Sequence, residues 1–154
     1  MTLEKTLRQK LSRPEPGGFH FSHAGWDITF HADRQDTMSC SLMELTLARD
    51  GQIPEGLRAW AARLADGVTG LLEPLRLVEI DERLGKAVLR SEAPVQRDGK
   101  ALYYELILER TQRTSATLRR YAGDLVGAGS RLEVPFVLTH DAVVKLACDI
   151  VGNG

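Results

Sequence analysis

Between Ile53 and Leu72 the chain reads IPEGLRAWAARLADGVTGLL, and Leu57, Trp60, Ala61, Leu64, Val68, Leu71 and Leu72 recur at intervals of three and four. That spacing places them on one face of an α-helix, and a face so apolar must be buried. Pro54 and Glu55 suit a first turn, because proline lacks the donor that would go unbonded there and a carboxylate complements the positive helix end. Arg58, Arg63 and Asp66 fall off the stripe and are expected in solvent. On either side the period changes to two. The combination predicts an α+β fold: an antiparallel sheet with this central amphipathic helix packed on it and short helices at the termini.

The 154 residues suffice for one domain that buries roughly two-thirds of its unfolded surface. With 20 Lys and Arg against 21 Asp and Glu the net charge is −1, so no global field draws the protein to nucleic acid or to an anionic membrane. The first residues, MTLEKTLRQKLSRPEPGG, lack the apolar run of a signal peptide, and nowhere do about 18 apolar residues follow one another as a membrane span requires. The expectation is a cytoplasmic protein. Cys40 and Cys148 each sit inside an apolar pattern and read as buried thiols, the sharper alternative being a catalytic thiol.

In chain order, the spacing predicts a helix over residues 1–13, where Leu3, Leu7 and Leu11 form a narrow line beneath an N-cap at Thr2. Such a line suits the domain edge or a partner, and these three leucines are the candidate partner-binding residues. A three-strand unit over 19–49 follows. Its apolar face switches between Leu42 and Leu45, through Met43, as at a β-bulge or in a region buried on both sides. After the helix at 54–72 come hairpins over 75–138. Leu102, Tyr104, Leu106 and Leu108 alternate with Tyr103, Glu105, Ile107 and Glu109, the clearest two-residue period in the chain, and pair with Ser115–Tyr121. Pro135 interrupts the last strand, and since proline cannot donate to a ladder, that strand is expected at an edge. A helix over 140–151, capped by Thr139, closes the domain.

Candidate chemistry is sparse. His20, His23 and His31 have the spacing of metal ligands across a hairpin, but His20 and His31 alternate with apolar residues, so a solvated sheet face explains them as well; no metal or cofactor is assigned. Tyr103, Glu105, Arg119 and Tyr121 share the outer face of two paired strands and are the candidate ligand-binding residues, unless they form a cross-strand ladder. Gly127-x-Gly129-Ser130 lacks the lysine of a P-loop and reads as a loop.

The order helix, three strands, helix, further strands, helix resembles the small α+β fold of class I type III secretion chaperones, with residues 19–46 similar to that family's three-strand unit and residues 139–151 to its closing helix. The resemblance implies a cytoplasmic homodimer that binds an extended segment of another protein without catalysis. The alternative is a small-ligand domain or enzyme whose pocket lies between helix and sheet, lined by Trp26, His31, Trp60 and Tyr104.

Overall fold

In the computed structural model, which describes residues 2–13, 15–36, 38–68, 71, 73–124 and 130–152, a ten-stranded antiparallel sheet carries three helices on one face. The order is α1 (Leu3–Leu11), β1 (Gly18–His23), β2 (Trp26–Gln35), β3 (Ser39–Asp50), α2 (Leu57–Gly67), β4 (Leu75–Asp81), β5 (Lys86–Ser91), β6 (Val95–Arg97), β7 (Lys100–Arg110), β8 (Arg113–Asp124), β9 (Arg131–Val134), β10 (Phe136–Thr139) and α3 (His140–Val151). The main path through the sheet is β1-β2-β3-β8-β7-β5-β4, so the class is α+β.

Local chemistry sets the turns. Ala24 and Gly25 (φ 50° and 86°) join β1 to β2, and Asp98 and Gly99 (φ 53° and 74°) join β6 to β7. Two successive positive φ values make the type I′ turn whose twist matches that of paired strands, and Asp-Gly adopts it at low cost. Gly85, at φ 71°, lies so close to the Arg110 carbonyl that a Cβ there would collide with backbone. The face switch in β3 is a bulge: His31 pairs with Glu44 and Ala32 with Leu42, which leaves Met43 unpaired.

The sheet forks. β3 and β8 pair from Leu45–Leu118 down to Asp50–Arg113, and above that point they separate. The chain comes down along β8 as β9, turns at Pro135, and returns along β3 as β10. The proline-bearing segment therefore fills the fork as two short strands, each paired on one side among the described residues, β9 with β8 and β10 with β3. Its missing donor costs nothing, because Pro135 lies at the apex, between the two ladders.

The helices also depart from expectation. α2 begins at Leu57 behind a Gly56 cap, later than the stripe predicts. The preceding segment is tied to the sheet: Ile53 donates its N–H to Thr114 Oγ1 (3.3 Å) and its carbonyl accepts from the Arg110 guanidinium (3.0 Å). Glu55 sits ahead of the helix and pairs with Arg63 (3.1 Å), which also donates to the Asp149 carbonyl at the end of α3 (2.6 Å). Arg63 is thus a clasp between helices, with its side chain still 36% exposed. Nor does α2 lie alone across the sheet, since it shares that face with α1 and α3. Leu7 and Leu11 are buried in the domain's own core on the α1 side that meets α3, and Leu3 packs partly against it, so the leucine line expected to dock a partner faces inward. No described helix is long and apolar enough to cross a membrane.

Candidate functional site

Above the fork, β8 and β7 continue with β9 on one side and β6 on the other, forming a four-stranded arm. β5 leaves β7 after Arg90–Glu105, and Ser91 marks the break: its hydroxyl accepts the Tyr104 N–H (2.8 Å) and donates to Glu73 (2.8 Å). Strand alternation gives the arm two faces of different chemistry.

The outer face holds the predicted ligand-binding residues. Tyr103 pairs with Tyr121 and Glu105 with Arg119 across β7 and β8. Although Glu105 is on the side away from the helices, its side chain is only 3% exposed. It accepts from Arg90 Nε (2.8 Å) and from Arg131 Nη1 (2.6 Å). Arg131 lies 3.8 Å over the Tyr121 ring, and Arg90 lies over Tyr103. Burial pushes the Glu105 carboxyl up, but the hydrogen bonds and charges of Arg131 and Arg90 outweigh it and hold the group below the ordinary carboxylate range. Arg119 turns away to Glu44 on β3 (2.6 Å) and towards Glu133 on β9 (3.6 Å), joining strands across the fork. The arrangement is a cross-strand brace in which the Glu105 carboxylate is shared between Arg90 and Arg131 and Arg119 is taken up by Glu44. The pairing of Arg90 with Glu105 follows from the hairpin register. Arg131, 26 residues further along, gives no such signal.

The inner face of the same arm is the opposite case. Val95, Leu102, Ala122 and Leu132 form one row across all four strands. The helix layer stops short of this row, because α2 meets β4, β5 and β7 while α3 meets β3 and β10. Leu132 is 69% exposed and Val95 40% exposed. Beneath the row, Tyr104 packs edge-on against Phe136 (5.5 Å), and the Arg120 guanidinium stacks on the Tyr104 ring (4.4 Å) and pairs with Glu73 (2.9 Å). Burial raises the Tyr104 hydroxyl pKa despite the opposing charge of Arg120, so it stays neutral. Val95 and Leu102 of the row and the three floor residues border a groove of about 590 Å³ that runs past Val134 to Pro135 and the exposed Val137.

The other candidates do not assemble. His20 and His31 stand exposed on the outer face, while His23 lies on the other side of β1, and among the described residues no group of three His, Cys, Asp or Glu is placed to hold a metal ion. Trp26, Trp60 and Tyr104 are buried in the core, whereas His31 is on the opposite face, so these four line no common pocket. A second hollow of about 580 Å³ lies between Trp26 and the end of α3. Of its arginines, Arg63 is engaged as described, while Arg49 stacks over the Trp26 ring (5.6 Å) and keeps a buried Nε with no hydrogen-bond partner among the described residues. Residues 125–129 of the predicted glycine loop lie outside the described residues.

Burial, with a smaller effect of Asp36, pushes the Cys40 thiol up to about 11. Cys40 is consequently expected to resist a thiol-specific chromogenic reagent at pH 8 and to react fully once the chain is unfolded in urea; rapid reaction of Cys40 in a Cys148→Ser background would contradict this. Comparison with protein-family models, with curated proteins and with solved structures finds no match to this chain.

Proposed function

We propose that the protein is a non-catalytic binding module that holds an extended segment of another protein on the inner face of the arm built from β6, β7, β8 and β9. One observation carries the reading: the apolar face of the sheet continues past the helices that bury the rest of it, leaving Val95 in water at the edge of a groove and Leu132 in water on the same row beside it. A row of that kind is costly to leave exposed and marks a contact surface. The brace on the reverse side supports this use, because it holds the strands of the arm in place without drawing on the inner face. In this reading the protein works as a cytoplasmic, chaperone-like module, in keeping with the element-order resemblance to class I type III secretion chaperones. A homodimer would present two such arms.

The test uses labelled, uncharged peptides in which valine or leucine alternates with glutamine, read by fluorescence anisotropy. Wild-type protein is expected to bind them, and Leu132→Glu or Val95→Glu to weaken binding by about tenfold, roughly 1.4 kcal/mol. Both side chains are exposed, so the variants should keep the wild-type melting temperature. Absence of binding, or binding that neither substitution alters, would sink the proposal.

A further inference from the structure

The groove on the arm is apolar, yet its polar groups are of one sign. Arg97 and Arg120 both border it, and among the described residues no carboxylate does. This is a local excess in a chain whose net charge is −1. Glu73, which does not line the groove, pairs with Arg120 (2.9 Å), so the excess comes from Arg97; at the tip of the arm Lys100 and Asp124 neutralise one another (2.9 Å). Arg120 also retains one buried Nη with no acceptor among the described residues, although its side chain is only 12% exposed. A buried guanidinium donor without a partner costs free energy that an incoming acceptor relieves.

Resting on the reading just proposed, we infer that the segment held by the arm is acidic as well as apolar: an extended peptide whose apolar side chains sit on Val95, Leu102 and Val134 and reach towards Leu132 on the same face, while its aspartate or glutamate carboxylates meet Arg97 and Arg120. Carboxylate and guanidinium are complementary in charge and in hydrogen-bond geometry. A peptide fits better than a fatty acid, which has the same two chemical parts, because β6 and β9 each pair on one side only and so offer free main-chain groups.

Three peptides decide it, sharing one alternating frame of valine and leucine with glutamate, glutamine or lysine at the intervening positions. The glutamate peptide should bind about tenfold more tightly than the glutamine peptide, and the lysine peptide more weakly than either. Arg97→Glu, a substitution at an exposed position, should abolish the advantage of the glutamate peptide and leave the glutamine peptide unchanged. Equal binding of the glutamate and glutamine peptides would overturn the inference while leaving the binding-module reading intact; failure of all three would remove that reading as well. Two further outcomes would assign the groove to another occupant and overturn the inference: oleate displacing the glutamate peptide at a lower concentration than unlabelled peptide does, or a dimer in sedimentation that Leu132→Glu dissociates.

Discussion

Replacing Trp60 by alanine is expected to destabilise the protein by about 4 kcal/mol. Trp60 is fully buried, and its indole N–H donates to the Ile150 carbonyl in the last turn of α3 (3.2 Å). Two losses combine there: the cavity left by a large aromatic side chain, and a buried carbonyl deprived of a donor. Domains of this size have about 5–15 kcal/mol in total, so the variant should fold with a much reduced urea midpoint. Trp26 remains to report unfolding by fluorescence. Trp60→Phe, which preserves most of the volume and loses the hydrogen bond, should cost clearly less. A loss below about 2 kcal/mol for Trp60→Ala would mean that the joint between α2 and α3 repacks, and that the helix layer is less fixed than its burial indicates.

The same joint shows where the sequence was informative and where it was not. The stripe Leu57, Trp60, Ala61 and Leu64 is buried as its period requires. Propensity at Pro54 and Glu55 suggested an earlier helix start. It was overridden by tertiary contacts, since the bonds from Ile53 to Thr114 and Arg110 hold those residues at the end of the sheet. Alternation in β7 separated Tyr103 and Glu105 from Leu102 and Tyr104 correctly. What alternation does not carry is how far the helix layer extends. Leu102 therefore looked like one more core position, and the groove on its side went unseen, while the polar side drew attention as a site. The fork is a second case. Pro135 announces a missing donor, but whether that donor is missing at an edge or at an apex between two ladders depends on the separation of β3 from β8, which is set by residues far away in the chain.

The brace makes the second large prediction. Glu105→Gln is expected to lower stability by about 3 kcal/mol at pH 7, near the lower end for breaking a buried ion pair, because Arg90 and Arg131 are themselves partly exposed and can rehydrate. The sign of the pH dependence follows from the lowered carboxyl pKa. A group held more acidic in the folded state than in the unfolded chain stabilises the fold fully above the unfolded value, about 4.3 for glutamate, and loses that contribution as pH falls through the folded value. The stability difference between wild type and Glu105→Gln should therefore be constant from pH 7 to about 5 and shrink below about 4. Taking the difference removes the titration of the other carboxylates, which both proteins share. Urea unfolding at pH 7, 5, 4 and 3 measures it. A difference near zero at every pH from 7 to 3 would show that the carboxylate charge contributes nothing. The arm would then be held by Tyr103, Tyr121 and the stacked Arg131 alone, and glutamine at position 105 would leave both its stability and its binding face as they are.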